Sequence, residues 1–345
     1  MLVFVIYDSI HHSIFEGQVF APLLKKLEAQ LHNTVHIVSF EEELSSAVLA
    51  AHKKFSTIDP RITINLFKRP RFIAQPSLWQ HISQLKKILK KIPYHYQLIA
   101  RGPFAGIIAK QSATDACTSL TIQARGLLAE EYAYTHKHAL GIKAIIHALR
   151  TKQLAKLEEE AYTPSPCTRN FFIEAVSPAL KAYLITMYNI PESIFTIPLF
   201  DAPAKISPEQ KKTYRTAIRT ELDISDKATV YVYNGSLKAW QCPRETIASF
   251  KTTLEINKNS IFLALTQDDA VMRNLLEQAE ITARSYRVLH VQQSEVMHYL
   301  CAGDYGLLFR ESHPLNWVSR PTKLLEYQAV GLEIIHNNTI ALLAQ

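Results

Sequence analysis

The chain has 345 residues, 48% of them hydrophobic, and a formal net charge of +7. This length and composition suit two domains with real cores and exclude a disordered or low-complexity chain. No apolar run approaches the roughly 18 residues of a membrane helix, and the apolar start from Met1 to Tyr7 lacks a basic leader, so a cytoplasmic protein without a membrane span is expected.

Four scattered cysteines, Cys117, Cys167, Cys242 and Cys301, show no CxxC spacing, which argues for reduced structural thiols over a disulfide framework or a zinc knuckle. Charge is uneven. Residues 1–200 hold 22 Lys+Arg against 15 Asp+Glu, whereas residues 201–345 hold 16 of each. The excess cations of the first half suggest an anionic partner there, such as a membrane surface or an acidic substrate.

In chain order, the first half alternates strands and helices: strand Leu2 to Tyr7, helix Gln18 to Leu31, strand Thr34 to Phe40, helix Glu42 to His52, strand Ile62 to Phe67. Such alternation predicts a largely parallel sheet covered on both faces. From Ser77 to Ile92, Leu85, Ile88, Leu89 and Ile92 recur at helical spacing opposite Lys86, Lys87, Lys90 and Lys91. This basic amphipathic helix is either a solvated domain helix or a docking element for anionic lipid.

Strands at Tyr96 to Ala100 and Leu120 to Gln123 end in Arg101-Gly102 and Arg125-Gly126, so charge gathers at one sheet edge. Strand Phe171 to Val176 leads into Ser177-Pro178, a cap and first-turn signature for helix Ala179 to Tyr188. The proline-bearing stretch Pro198 to Pro203 is the expected boundary between domains 1–200 and 201–345. The second half restarts with strand Thr229 to Tyr233, helix Pro243 to Glu255, strand Ser260 to Leu265, helix Asp269 to Ile281 and strand Val288 to Val291.

The most informative stretch comes late, from Arg320 to Gly331. Pro321 suits a helix first turn and Gly331 the position past its end. Lys323 and Glu326 share one face, either as a surface pair or as a cation and a carboxylate about a turn apart that grip a nucleotide diphosphate. The short strand Asp304 to Phe309 precedes it, so the loop Arg310 to Ser319 leaves a strand's carboxyl end, where open α/β sheets bind ligands.

The sequence resembles GT-B nucleotide-sugar glycosyltransferases, and is similar to retaining family 4. Gly17-Gln18-Val19, Arg125-Gly126 with Glu130-Glu131, Ala175 to Leu180 with Ile197-Pro198, and Tyr233-Asn234-Gly235-Ser236 carry the resemblance. The last segment, Arg320 to Gly331, matches Pro-Thr-Lys-x-x-Glu-Tyr-x-Ala-x-Gly. The resemblance implies two Rossmann-like α/β domains facing across a cleft, acceptor side first and nucleotide-sugar side second.

It also implies roles. Glu326 would accept from ribose hydroxyls, while Lys323, Lys238, Gly235, Ser236 and the amides near Thr322 would face the diphosphate, with Trp240 closing that loop and Arg320 and Ser319 beside it. Gly17 would sit in a loop near donor and acceptor, with His12, Arg125 and Glu130 on the acceptor side. Many relatives carry a glutamate eight positions before the ribose-binding one; here that position is Val318, and Arg310, Glu311 and Asn316 are the candidates to replace it. Relatives usually continue beyond the position of Gln345, so the expectation is either a second domain truncated at its C-terminus or an unusually open cleft.

The expected function is transfer of a sugar from a nucleotide-diphosphate donor to a glycan or lipid-linked acceptor, with retention, serving envelope or polysaccharide assembly. No cofactor is expected, and no metal, because no Asp-x-Asp triplet occurs. Alternatives are a sugar-nucleotide epimerase and a non-catalytic scaffold that binds nucleotide or a protein partner. The absence of GxGxxG and GxxxxGK[ST] removes the usual phosphate turns of dinucleotide and P-loop proteins, and no basic, aromatic-interleaved stripe supports nucleic acid.

Overall fold

Apolar runs such as Leu2–Ile6 and Val35–Glu41 are buried along almost their whole length, as strands covered by helices on both faces require. In the computed structural model, which describes residues 1–69, 75–164, 170–198 and 203–344 (at 13 and 75–77 the backbone alone), the chain divides into two compact units, Met1–Leu199 and Phe200–Gln345. Cys167 and most of the expected boundary, 199–202, lie outside the described residues.

The first unit runs β1 (Leu2–Ile6), α1 (Ser13–Phe15), a π-helical turn Glu16–Phe20, α2 (Ala21–Glu28), β2 (Val35–Glu41), α3 (Ser46–Ser56), β3 (Ile62–Lys68) and α4 (Gln75–Leu89). It continues with β4 (Tyr96–Arg101), α5 (Gly102–Ser112), β5 (Cys117–Ala124), α6 (Leu128–Thr135), α7 (Ile142–Tyr162), β6 (Phe171–Ala175), α8 (Pro178–Tyr188) and β7 (Phe195–Thr196). The strands pair in the order β3-β2-β1-β4-β5-β6-β7, every pairing parallel. Strand order reverses direction at β1, between β2 and β4, and that switch point opens a crevice at the carboxyl ends.

The second unit runs α9 (Pro208–Glu221), β8 (Thr229–Asn234), α10 (Pro243–Ile256), β9 (Ser260–Leu265), α11 (Asp269–Gln278) and β10 (Tyr286–Leu289). Then come α12 (Val296–Leu300), β11 (Tyr305–Leu308), α13 (Pro314–Trp317), α14 (Thr322–Val330) and β12 (Glu333–His336). Its sheet, β10-β9-β8-β11-β12, is again all parallel, with the switch point between β8 and β11. Val230, Val232, Leu263 and Leu308 pack beneath Leu324, Tyr327 and Val330 of α14, so this helix is seated directly over the switch point.

Several expected elements shift. The helix expected over Glu42 to His52 is Ser46–Ser56, because the Ser45 hydroxyl caps it by accepting from the Val48 amide at 3.3 Å. Glu41 ends β2, and its fully buried carboxylate ties down the loop after β1, accepting from the Ser9 hydroxyl, from Ser39 Oγ at 2.6 Å and from the Ile10 amide at 3.1 Å. Gly17, expected in a loop, lies inside the π-helical turn, since helix starts at Ser13 and not at Gln18. The last strand before α12 is Tyr286–Leu289, two residues earlier than expected. Helices α5, α6 and α7 have no counterpart in the expected element order.

Candidate functional site

Residues that follow β8 and β11 meet α14 at the switch point of the second unit. Gly331 ends α14 in the left-handed conformation at φ 69°, as its position past the helix end requires. Pro321 stands one position outside the expected first turn, at the cap with ψ 131°. Both Lys323 and Glu326 are buried, at 8% and 5% exposure, which removes the solvated surface pair as a description of them.

Glu326 is held from two sides: Oε2 accepts from Asn234 Nδ2 at 2.7 Å and Oε1 from Gln293 Nε2 at 3.3 Å. Burial raises its pKa, opposed by these hydrogen bonds and by Lys323. A carboxylate has about four lone-pair positions, so two remain for a ligand's hydroxyls. Lys323 Nζ donates to Gln241 Oε1 at 2.9 Å and lies 4.5 Å from the centre of the Tyr233 ring. Burial, then repulsion from Arg310, drives its pKa well below the ordinary lysine range.

Arg310, also buried, leaves β11 toward the same spot, and its Nε has no hydrogen-bond partner. Its backbone is pinned by Asn337, which receives the Arg310 amide at 3.2 Å and donates to its carbonyl at 2.6 Å. Lys323 thus faces a second buried basic group, Arg310, as well as the buried carboxylate of Glu326, an excess of buried positive charge that an incoming anion would relieve.

Gly235 is the floor of this arrangement, at φ 128°, a conformation that side chains rarely adopt. Its turn is fixed by the phenol of Tyr327, which accepts from the Asn234 amide at 3.0 Å and donates to the Val232 carbonyl at 3.3 Å. Gly306 on β11 makes this possible, because a Cβ there would collide with the Tyr327 ring. Ser236 is held by its carbonyl to Tyr233 Oη at 2.6 Å and by its hydroxyl to Gln241 Nε2 at 2.8 Å.

In the first unit, three arginines at or just past the carboxyl ends of three strands line a cavity of about 330 Å³ with Tyr7, Asp8 and Phe104. Arg69 follows β3, Arg101 ends β4 and Arg125 follows β5. Arg69 donates to the Tyr7 carbonyl at 2.9 Å and stacks 4.6 Å over the Tyr7 ring. Arg101, 8% exposed, donates to Gln18 Oε1 at 2.7 Å, while its Nη1 is buried without a partner. Arg125 pairs with Glu174 at 3.1 Å; burial and then the neighbouring Arg101 bring its pKa down to about 10. His12 lines a smaller adjoining cavity with Asp8 and Arg101.

The backbone matches solved structures over its full length. WaaG, a glycosyltransferase involved in lipopolysaccharide biosynthesis, is similar at 14% identity over 100% of this chain and 83% of that one, with a TM-score of 0.62. The chain has the GT-B fold. The sucrose-phosphate synthase of Thermosynechococcus elongatus matches at 12% identity, 100% and 83% coverage and TM-score 0.65, and Anabaena HepE, in complex with UDP and glucose, at 11%, 97% and 80%, and 0.59. No family model matches the sequence, and no curated protein matches it.

Within the GT-B chain, the expected donor-side residues divide into two groups. Gly235, Ser236, Lys323, Glu326 and Arg310 come together. Lys238 is exposed, with Nζ 4.8 Å from the Trp240 ring, and Thr322 is exposed at the start of α14. Buried Asn316 turns its amide inward, donating to the Glu311 carbonyl at 2.8 Å and weakly to the Trp240 carbonyl at 3.4 Å, while Ser319 Oγ donates to the Asn316 carbonyl at 2.8 Å. These bonds tie the 310–319 loop to the 238–242 loop. Val318, eight positions before Glu326, is buried. Arg320 is half-buried.

Of the residues expected on the acceptor side, Gly17 and His12 are exposed, and a Cβ placed on Gly17 would meet nothing beyond its own helix within 4 Å. Glu130 accepts from Tyr183 at 3.4 Å, and its neighbour Glu131 faces the arginine cavity. Sequence reading missed Asn234, Gln241 and Gln293 as holders of the two charges, and Arg69 as a third arginine. The charge at the ends of the Tyr96 and Leu120 strands was the available signal, and it pointed to Arg101 and Arg125 alone.

Proposed function

We propose that this protein is a glycosyltransferase that moves a sugar from a nucleotide-diphosphate donor to a glycan or lipid-linked acceptor. The observation that carries the reading is the grouping of two buried cations, Lys323 and Arg310, with the buried carboxylate of Glu326 around a turn whose glycine leaves the approach open. In this reading the diphosphate lies over Gly235 against Lys323, Arg310 and the first amides of α14, and the ribose hydroxyls reach Glu326. As the glycosidic bond breaks, charge grows on the leaving phosphate. Cations fixed in a dry site stabilise that charge without reorganising.

With retention, the acceptor attacks from the face the phosphate leaves, and the phosphate oxygen takes the acceptor proton, so no side-chain base is needed. The arginine cavity of the first unit is where we place the acceptor, and three guanidiniums suit one bearing phosphate or carboxylate. That HepE was solved with UDP and glucose supports a nucleotide-sugar donor for this fold. The test is incubation with UDP-, GDP- and ADP-sugars, following release of nucleotide diphosphate and of free sugar. Slow hydrolysis of one donor, lost in Lys323→Met, is the expected result; an epimerised donor sugar, or release unaffected by that change, would overturn it.

A further inference from the structure

Residues 132–157 contain five Lys or Arg and three His but no Asp or Glu. They include the first half of α7, where aliphatic side chains face solvent. Leu140 and Ile142 are 84% and 77% exposed, and Ile145, Ile146 and Leu149 are each more than half exposed. Positions 142, 145, 146 and 149 fall on one face of a helix, bordered by Lys143 and Arg150 on one side and Lys152 on the other.

The second half of the same helix is different. Leu154, Leu157, Ala161 and Tyr162 are buried, and α7 packs against α5 and α6. The helix is therefore anchored at its carboxyl end and holds out an apolar stripe at its amino end. Single exposed aliphatics are ordinary, but a contiguous stripe rimmed by cations marks an interaction surface.

The chemistry of the rim selects the occupant. With no carboxylate across 26 residues, the face is complementary to a surface that is apolar within and anionic at its rim. Aliphatic side chains would enter the acyl boundary while Lys143, Arg150 and Lys152 stay among the headgroups, their stems lying along the boundary. We propose that Leu140 and the first half of α7 dock this protein on an anionic lipid bilayer.

Helix α4 plays a lesser part. Its Leu85 and Leu89 are buried in the core, so the apolar side expected to meet lipid is already used. What it exposes is Lys86 and Lys87, with Lys90 and Lys91 just past its end, together with Trp79 at 79% exposure. Because α4 and α7 both pack against α5, these lysines belong to the same helical layer as the stripe. They would add screened attraction, not insertion. The proposal stands on this surface alone and does not depend on the donor chemistry.

The test is co-sedimentation of the full chain with vesicles of phosphatidylcholine alone and of an equal mixture with phosphatidylglycerol, in low and in physiological salt. The wild type should bind the mixed vesicles and leave the neutral ones. Ile142→Ser, Ile145→Ser and Leu149→Ser together should weaken that binding at least about tenfold at both salts, with an unchanged melting temperature. Gln at Lys143, Arg150 and Lys152 should weaken it mainly in low salt, and Gln at Lys86, Lys87, Lys90 and Lys91 less than the serine set does. The proposal fails if the serine variant binds like the wild type, or if neutral vesicles bind equally well. It fails also if sedimentation velocity shows a dimer that the serine set converts to monomer, because the stripe would then cover a second copy.

Discussion

Lys323 Nζ lies 3.3 Å from the point where a Cβ on Gly235 would stand. The buried cation of α14 and the bare turn after β8 therefore occupy one small space, which remains clear because residue 235 has no side chain. At φ 128° that turn is also one that an L side chain adopts only under strain. Gly235→Ala is expected to destabilise the protein by about 1–2 kcal/mol and to push Lys323 and Gln241 from their places. Chemical denaturation reads the first effect; loss of nucleotide binding reads the second.

Lys323 separates stability from binding. A buried ammonium pressed by Arg310 costs the free protein energy, and the direction of its pKa shift says so. Because the folded pKa is below the unfolded one, the folded chain gives up its proton first as pH rises, and stability from this group increases toward the ordinary lysine range. Lys323→Met should leave the melting temperature of the free protein unchanged or higher, yet weaken nucleotide diphosphate by about 2 kcal/mol or more. A bound diphosphate should also raise the pKa of the wild-type lysine. Titration calorimetry over a range of pH, in buffers of different ionisation heat, should show proton uptake on binding at the higher pH values, and the variant should lack it.

Tyr327 acts one step behind the site. Its hydroxyl receives the Asn234 amide and reaches the Val232 carbonyl, so Tyr327→Phe leaves the amide that positions Asn234 and Gly235 without its acceptor. The expected cost is about 1–3 kcal/mol of stability. Nucleotide affinity should fall too, since Asn234 Nδ2 is the 2.7 Å partner of Glu326. Full affinity in a destabilised Phe variant would confine the hydroxyl to a structural role.

Glu158 of α7 gives the first unit its own pH signature. Its carboxyl accepts from the Leu128 and Ala129 amides at 2.7 and 3.1 Å and from Tyr188 Oη at 3.2 Å, capping α6, while burial raises its pKa to about 7. A carboxyl with a raised folded pKa stabilises below its unfolded pKa, and that contribution fades as pH rises through about 7. The wild type should therefore lose up to about 3 kcal/mol from this group between pH 5 and pH 7, by roughly 1.4 kcal/mol per unit, and no more above that. Glu158→Gln should flatten the melting profile over that window; an unchanged slope would assign the dependence elsewhere.

Much of this was legible in the sequence. Alternating apolar runs and caps announced parallel sheets, and Pro321, Gly331 and the three-residue spacing of Lys323 and Glu326 marked one helix with chemistry on it. Their burial was not legible, because it depends on Asn234, Gln241 and Gln293 arriving from other elements. Helix α7 escaped notice for a physical reason: its first half turns aliphatics to solvent and its second half turns them inward, so no single stripe runs its length. Gly17 was read as loop because a π-helical turn has no distinct periodicity in so short a run.

The central claim is that α14 and the turn after β8 hold a nucleotide diphosphate. Calorimetric titration of UDP, GDP and ADP into the wild type and into Glu326→Ala tests it most directly. The account predicts that one of the three binds the wild type and that the variant binds it more weakly by about 1.5–3 kcal/mol, through lost charge-assisted hydrogen bonds, with the melting temperature of the free protein little changed. Equal affinity in the two proteins, or no binding of any nucleotide diphosphate to the wild type, would contradict it.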